Sequence, residues 1–214
     1  MNKPETISIQ IYKTLRREIL EMAVKPGEKL SEALLAEKYQ TSRAPVRYAI
    51  QRLEQEKLVQ VKPQIGTIVA PIPPNAAKEI CQVRLLLEPF AASIAAEGMS
   101  EELRENLKKA FKDLQSLQEG SEEKRQKIFE TDLLLHRNIW KSCGNSEIYN
   151  ILKKYSELMN RVRLATAKLA NRLLPSEQEM NEIYEALMSR DSGKAHEAMA
   201  KHISNIRDAI EEVL

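Results

Sequence analysis

Apolar residues recur along this chain mostly at intervals of three and four, the spacing that gathers them on one side of an α-helix. Ile11, Leu15, Ile19 and Met22 form the first such stripe, opposite Lys13, Arg16, Arg17 and Glu18, and predict a helix from Thr6 to Met22. Pro26-Gly27 then turns the chain, and Ser31 is placed to cap a short second helix with Leu34, Leu35 and Tyr39 on its apolar side. A third helix opens at Ser42, with Pro45 in the first turn, where a missing N–H costs nothing. Val46, Ala49, Ile50 and Leu53 share one of its faces. Ala44, Arg47, Tyr48 and Gln51 share the other, with Arg43 beside them.

After Leu58 the period changes from 3.6 to 2. Val59 and Val61, then Ile68, flank Lys62-Pro-Gln-Ile-Gly-Thr67 and predict a β-hairpin. Three short helices followed by a hairpin make a winged helix-turn-helix. Its third helix enters the DNA major groove while the wing lies along the backbone or minor groove. Ala70-Pro-Ile-Pro-Pro-Asn75 is stiff and extended, and Asn75 is placed to cap the next helix. Helical periodicity then resumes over 76–98, 101–119, 122–142, 146–171, 177–190 and 193–213, with Ser176 and Glu179 spaced as a capping box. The expected architecture is mainly α: a winged helix-turn-helix in 1–70, a proline-rich linker in 71–75, and an all-helical bundle in 76–214.

Composition supports this division. The 214 residues contain six glycines, 5% aromatic and 30% charged residues, as expected of a helix-rich chain with much exposed surface. Residues 1–70 hold 12 Lys and Arg against 8 Glu, a formal +4, which leaves −2 for the rest of a chain of net +2. The basic, partner-binding end is therefore N-terminal. No segment reads as a signal peptide or an apolar membrane span, and Cys81 and Cys143 are too few for a disulfide framework, so a cytoplasmic location is expected.

The third helix carries charges that its own stability does not explain. Arg43 stands at the positive end of the helix dipole, and Arg43 and Arg47 repel each other as an i,i+4 pair. A phosphate backbone reverses the sign of both effects. By position, Arg47 suits bidentate hydrogen bonds to a guanine edge and Arg43 suits a phosphate, with Gln51 on the same outward face.

The run Pro26-Gly-Glu-Lys-Leu-Ser-Glu32, then Leu35-Ala-Glu37, Ser42-Arg-Ala-Pro-Val-Arg47, Leu53-Glu54, Leu58-Val59 and Gly66 closely resembles the GntR family of bacterial transcription regulators over residues 7–70. The resemblance implies DNA contacts from Ser42, Arg43, Arg47 and the wing glycine, Gly66. Three positions depart from the family pattern: Ala33 where a basic residue is common, Tyr48 where an acid is common, and Ile65 where the wing presents Arg or His. They bear on operator sequence and wing contacts, not on the class.

In the bundle the informative residues are polar ones on apolar stripes. Asp132 and His136 lie one turn apart among Phe129, Leu133 and Trp140; His202 shares a face with Ala195, Met199, Ile206 and Val213; and Arg84 falls among Ile80, Leu87, Ala91 and Ile94. Each has an ordinary explanation: an internal hydrogen bond, a satisfied core histidine, an arginine paired with a local acid. Together, one Asp and two His suit Zn²⁺, Mn²⁺ or Ni²⁺, and an arginine beside them suits a carboxylate.

Val83-Arg84, Leu87-Glu88, Asp132 with His136, Ala186-Leu187 before Arg190-Asp191, and Ala198-Met199 before His202-Ile203 resemble the FCD effector-binding domain over residues 76–210. With six helices the region is more similar to the vanillate-regulator type than to the seven-helix fatty-acid-regulator type. The resemblance implies a homodimer on a palindromic DNA operator, a small carboxylate effector, and metal ligands at Asp132, His136 and His202. It puts the fourth ligand position at Met180, a poor ligand for a hard or borderline ion. Two states are then open: an ion on three protein ligands plus water and effector, or a metal-free pocket lined by Arg84, Asp132, His136, Met180 and His202.

A repressor released by its effector is the expected mode of action. Other classes fit parts of the pattern. Two His and a carboxylate also describe a non-haem iron enzyme, but such an enzyme has no use for Arg43, Arg47 and the hairpin, and nothing in the bundle supplies a cosubstrate motif. A redox switch through Cys81 and Cys143, and a DNA-binding dimer without a ligand, are the remaining alternatives.

Overall fold

The computed structural model describes residues 6–71, 74–166 and 173–211. Two compact units divide the chain. One runs to Pro73 and includes Asn160–Ala165; the other holds Pro74–Met159 and the chain from Thr166 onward.

The first unit contains α1 (Ile7–Leu20), β1 (Lys29–Leu30), α2 (Glu32–Lys38), α3 (Arg43–Gln55), β2 (Val59–Lys62) and β3 (Gly66–Val69). Its core is built from the predicted stripes: Ile11, Leu15 and Ile19 of α1 meet Val46, Ala49, Ile50 and Leu53 of α3, all fully or almost fully buried. Met22 lies past the end of α1 with φ +59°, so it caps the turn and does not extend the stripe. On α2 the apolar side is Leu35 and Ala36; Leu34, expected to pack, is 67% exposed. Seven residues make barely two turns, and Leu34 faces away from the arc that Leu35 and Ala36 occupy.

The hairpin is part of a three-stranded sheet of order β1-β3-β2. The added strand, Lys29–Leu30, pairs antiparallel with Thr67–Ile68. Two residues are too few to show a period of two, which is why the sequence pattern does not reveal it. Lys62 opposes Gly66 across the wing turn. Gly66 has φ +99°, a left-handed conformation that side chains rarely adopt, and a Cβ there would lie 3.3 Å from Cε of Lys29.

The second unit contains α4 (Pro74–Gly98), α5 (Glu101–Gln115), α6 (Glu122–Ser142), α7 (Ser146–Thr166), α8 (Leu173–Met188) and α9 (Ser192–Glu211). α4 starts at Pro74 inside the expected linker, with proline at the first helical position, so Asn75 is helical and does not cap. α5 ends four residues before the expected end, at Gln115. α8 begins at Leu173, ahead of Pro175, which leaves Ser176 within the helix and dissolves the expected capping box. Parts of the predicted helices 146–171 and 193–213, with Val213, lie outside the described residues. α4 packs on α6, α8 and α9, and α5 on α6, around a core that includes Ala91, Ala95, Leu107, Leu135, Ile139, Met180, Ile183 and Met199. Ile94, expected on the Arg84 stripe, is 36% exposed and shares the outer face of α4 with Leu86 and Phe90. Among the described residues no helix is long and apolar enough to cross a membrane.

Candidate functional site

Because α3 buries the Val46 face against α1, its other face is presented outward. Ser42, Arg43, Arg47, Tyr48 and Gln51 are all exposed. Ser42 occupies the N-cap position but its side chain makes no capping hydrogen bond. Arg47 is engaged within the unit: Nε donates to Glu32 Oε1 at 3.2 Å and Nη2 to Glu32 Oε2 at 2.9 Å. That pairing, through a hydrogen bond from Arg47, holds the Glu32 carboxyl below its ordinary range. Gly66 and Ile65 are exposed on the wing, with Lys29 against Gly66 and Lys62 opposite it.

The second constellation lies inside the helical unit, on α4, α6, α8 and α9. His136 and His202 are 2% and 0% exposed, and their Nε2 atoms stand 3.3 Å apart. Asp132 Oδ1 lies 3.6 Å from His136 Nε2 and 3.5 Å from His202 Nε2. These separations exceed normal hydrogen-bond length, and Asp132 Oδ1 is buried without a hydrogen-bond partner.

Each imidazole is fixed from behind. His136 Nδ1 meets Glu88 Oε2, and His202 Nδ1 meets Glu179 Oε2 at 2.8 Å. If each Nδ1 donates its hydrogen to its carboxylate, both Nε2 lone pairs point toward Asp132. Glu88, fully buried, also accepts from Trp140 Nε1 at 3.2 Å and from Arg84 Nε. Glu179 Oε1 accepts from Asn205 Nδ2 at 2.7 Å, so Glu179 orients a histidine and is not part of a cap.

The electrostatics are set by this packing. Burial opposes ionisation of Glu88, but Arg84 and His136 outweigh it and hold the carboxyl well below its usual range. Asp132 is likewise held well below its usual range, by His136 and His202 against the effect of burial. Burial disfavours charge on His136, yet Glu88 and Asp132 raise its pKa to about 9. Three donor atoms 3.3–3.6 Å apart match the spacing of ligands on a common ion at bond lengths of about 2.1 Å, near 3.4 Å for tetrahedral angles. The orphaned Asp132 Oδ1 and the two anchored imidazoles therefore fit a divalent cation.

Asp132, His136 and His202 thus come together. Met180 is fully buried in the adjoining core of α8. Arg84 is buried with its Nε on Glu88, the local acid of an i,i+4 pair. Glu88 and Glu179, the carboxylates that aim the histidines, are not among the site residues expected from the sequence. Their signal is a Glu one helical turn after Arg84 and a Glu on the apolar side of α8. Cys81 and Cys143 are both buried, and burial raises the Cys81 thiol pKa, which makes it a slow nucleophile and speaks against a redox switch.

A winged helix-turn-helix that turns Arg43 and Arg47 of its third helix outward is the architecture of a DNA-binding protein. Residues 7–69 match the bacterial regulatory proteins of the gntR family, and residues 79–205 match the FCD domain. The chain belongs to the GntR family and is a DNA-binding transcription regulator, not an enzyme. It is 26% identical over 222 residues to the HTH-type transcriptional repressor RspR of Escherichia coli K12, covering 100% of this chain and 92% of that one. It is 27% identical to the gluconate operon transcriptional repressor of Bacillus subtilis 168, covering 96% of this chain and 85% of the other. Among solved structures, E. coli McbR/YncC has the same fold, with a TM-score of 0.77 at 20% identity over 97% of this chain and 98% of that one.

Proposed function

We propose that the chain is a homodimeric repressor whose grip on a palindromic operator is set by a small carboxylate taken into the helical unit, with a divalent cation held by Asp132, His136 and His202. The observation that carries this reading is the meeting of three donor atoms, His136 Nε2, His202 Nε2 and Asp132 Oδ1, at 3.3–3.6 Å. Zn²⁺, Mn²⁺ and Ni²⁺ suit that donor set. Once bound, such an ion supplies a positive anchor with open positions for a carboxylate.

The chain's own residues do the rest. Glu88 and Glu179 orient the two imidazoles, and Arg84, its Nε held and its charge matched by Glu88, offers its Nη hydrogens to an anionic effector. Met180, fully buried on α8, falls at the fourth ligand position that the family resemblance implies, and a thioether there is a poor ligand for such an ion, which leaves coordination to water and effector. In the DNA-binding domain, taken as residues 1–70, Ser42 and Arg43 take phosphates, Arg47 and Gln51 take base edges, and Gly66 lets the wing backbone approach the duplex. The bundle from residue 76 supplies effector binding and dimerisation, so that two reading helices meet two half-sites. The effector acts by binding the DNA-competent and DNA-incompetent arrangements with different affinity.

Metal analysis of the purified full-length protein, paired with thermal shifts on adding Zn²⁺, Mn²⁺, Ni²⁺ or small carboxylates, tests the reading. About one divalent ion per chain is expected, lost in His136→Ala and His202→Ala variants that retain helical circular dichroism. Protein that holds no ion and shows no change in Tm with any of the three metals would overturn the metal part. No Tm response to any carboxylate would overturn the effector part.

A further inference from the structure

The bidentate pair between Glu32 and Arg47 joins the helix before the turn to the helix that reads DNA, and both partners are solvent-facing, with side chains 29% and 60% exposed. Exposed pairs of this kind contribute little to stability. Their geometric effect is large, because a planar guanidinium held along one edge has its remaining donors fixed in direction. Here Nε and Nη2 are taken by Glu32, so the remaining outward donors are the Nη1 hydrogens and the second hydrogen of Nη2. That end-on pair is the arrangement that spans O6 and N7 of a guanine. Glu32 also neutralises part of the like-charge repulsion between Arg43 and Arg47, one turn apart on α3.

We propose that Glu32 is a positioning residue for sequence recognition: it holds the Arg47 guanidinium in the orientation that reads a guanine end-on, without touching a base. This rests on Arg47 as a base-reading residue. Loss of Glu32 frees Arg47 to pair with any phosphate and removes a negative charge facing the duplex. Discrimination falls while affinity for DNA of arbitrary sequence holds or rises.

The test is selection of bound duplexes from a randomised library by the full-length protein, with the bound fraction sequenced to give the preference at each position. The wild type, Glu32→Gln, Glu32→Asp and Arg47→Ala are compared, with circular dichroism and Tm as controls on folding. The expected result is one guanine-preferring position per half-site that Arg47→Ala abolishes and Glu32→Gln weakens by roughly tenfold, a typical size for one bidentate base contact. Glu32→Asp, which keeps the charge, retains part of the preference. Affinity of Glu32→Gln for a duplex of arbitrary sequence is expected to equal or exceed that of the wild type. If Glu32→Gln keeps the full guanine preference while Arg47→Ala loses it, the positioning role is wrong and the reading of Arg47 stands. If Arg47→Ala also keeps that preference, the reading of Arg47 itself is overturned, and the positioning role with it.

Discussion

His136 and His202, sixty-six residues apart in sequence, face each other through Nε2 atoms 3.3 Å apart, each ring held at its other nitrogen by a buried carboxylate. Two lone-pair-bearing nitrogens with an ionised Asp132 beside them repel one another unless something positive lies between them. A proton on His136 is one solution, consistent with its pKa of about 9, and a divalent ion is the other. The two compete for the same nitrogen.

Met180 is where the two solutions diverge. It is fully buried on α8, next to the Glu179 that orients His202. In Met180→His an imidazole replaces a thioether at the position that family resemblance gives to the fourth ligand. Zn²⁺ affinity, measured by competition with a chelating dye, should rise by about tenfold or more, since closed four-ligand sites hold zinc more firmly than open ones. Unchanged affinity in a folded variant would mean that position 180 does not face the Asp132 cluster.

Glu88 serves three partners: Arg84, His136 and Trp140. Glu88→Gln keeps the shape but leaves the Arg84 guanidinium buried without a counter-charge. Removing one partner of a buried pair typically costs about 3–5 kcal/mol, so urea unfolding should show a loss of that order. Trp140 fluorescence should shift as well, because its indole N–H loses a charged acceptor. A loss below about 1 kcal/mol would show that Arg84 has another anion to hold it.

Arg104 sits 3% exposed where two helices end. Its guanidinium donates to the carbonyls of Met99 at 3.3 Å, Ala96 at 2.6 Å, and Leu187 on α8. Carbonyls at helix C-termini have no intrahelical donor, so one side chain satisfies ends of both α4 and α8. Arg104→Met preserves the stem and removes the donors. Stability should fall by roughly 2–4 kcal/mol, read from the midpoint of chemical unfolding, with no change in metal content. A variant that loses metal but not stability would reverse that assignment.

Much of this architecture is legible in residue spacing, and the exceptions have identifiable causes. The α1 and α3 stripes are long enough for a period of 3.6 to show, so Ile11, Leu15, Ile19, Val46, Ala49, Ile50 and Leu53 stand out as core. β1 and α2 are too short for periodicity to assign, which hides the third strand and misplaces Leu34. Helix starts are misread at Asn75 and Ser176 because prolines at positions 74 and 175 look like breaks while in fact lying in first turns. In the candidate site, polar residues on apolar stripes mark Arg84, Asp132, His136 and His202. The carboxylates behind the histidines are harder to find, because Glu88 and Glu179 are of the residue type that usually faces solvent, and only the packing of α4 and α8 turns them inward.

Arg43 separates phosphate binding from base reading on the same helix. It lies exposed in the first turn of α3, where the helix dipole makes a cation unfavourable for the free protein and a phosphate favourable for the complex. Arg43→Ala should weaken binding to all duplexes alike. Because each neutralised phosphate contributes about 0.9 to the slope of log K against log salt, the slope should become shallower by about 0.9 per arginine, or twice that for a dimer. The free variant should be no less stable than the wild type, since the substitution also relieves repulsion with Arg47. Fluorescence anisotropy titrations with a labelled duplex over a range of NaCl concentrations give the slope directly. An unchanged slope, or a loss of binding confined to one sequence, would move Arg43 from the phosphates to the bases.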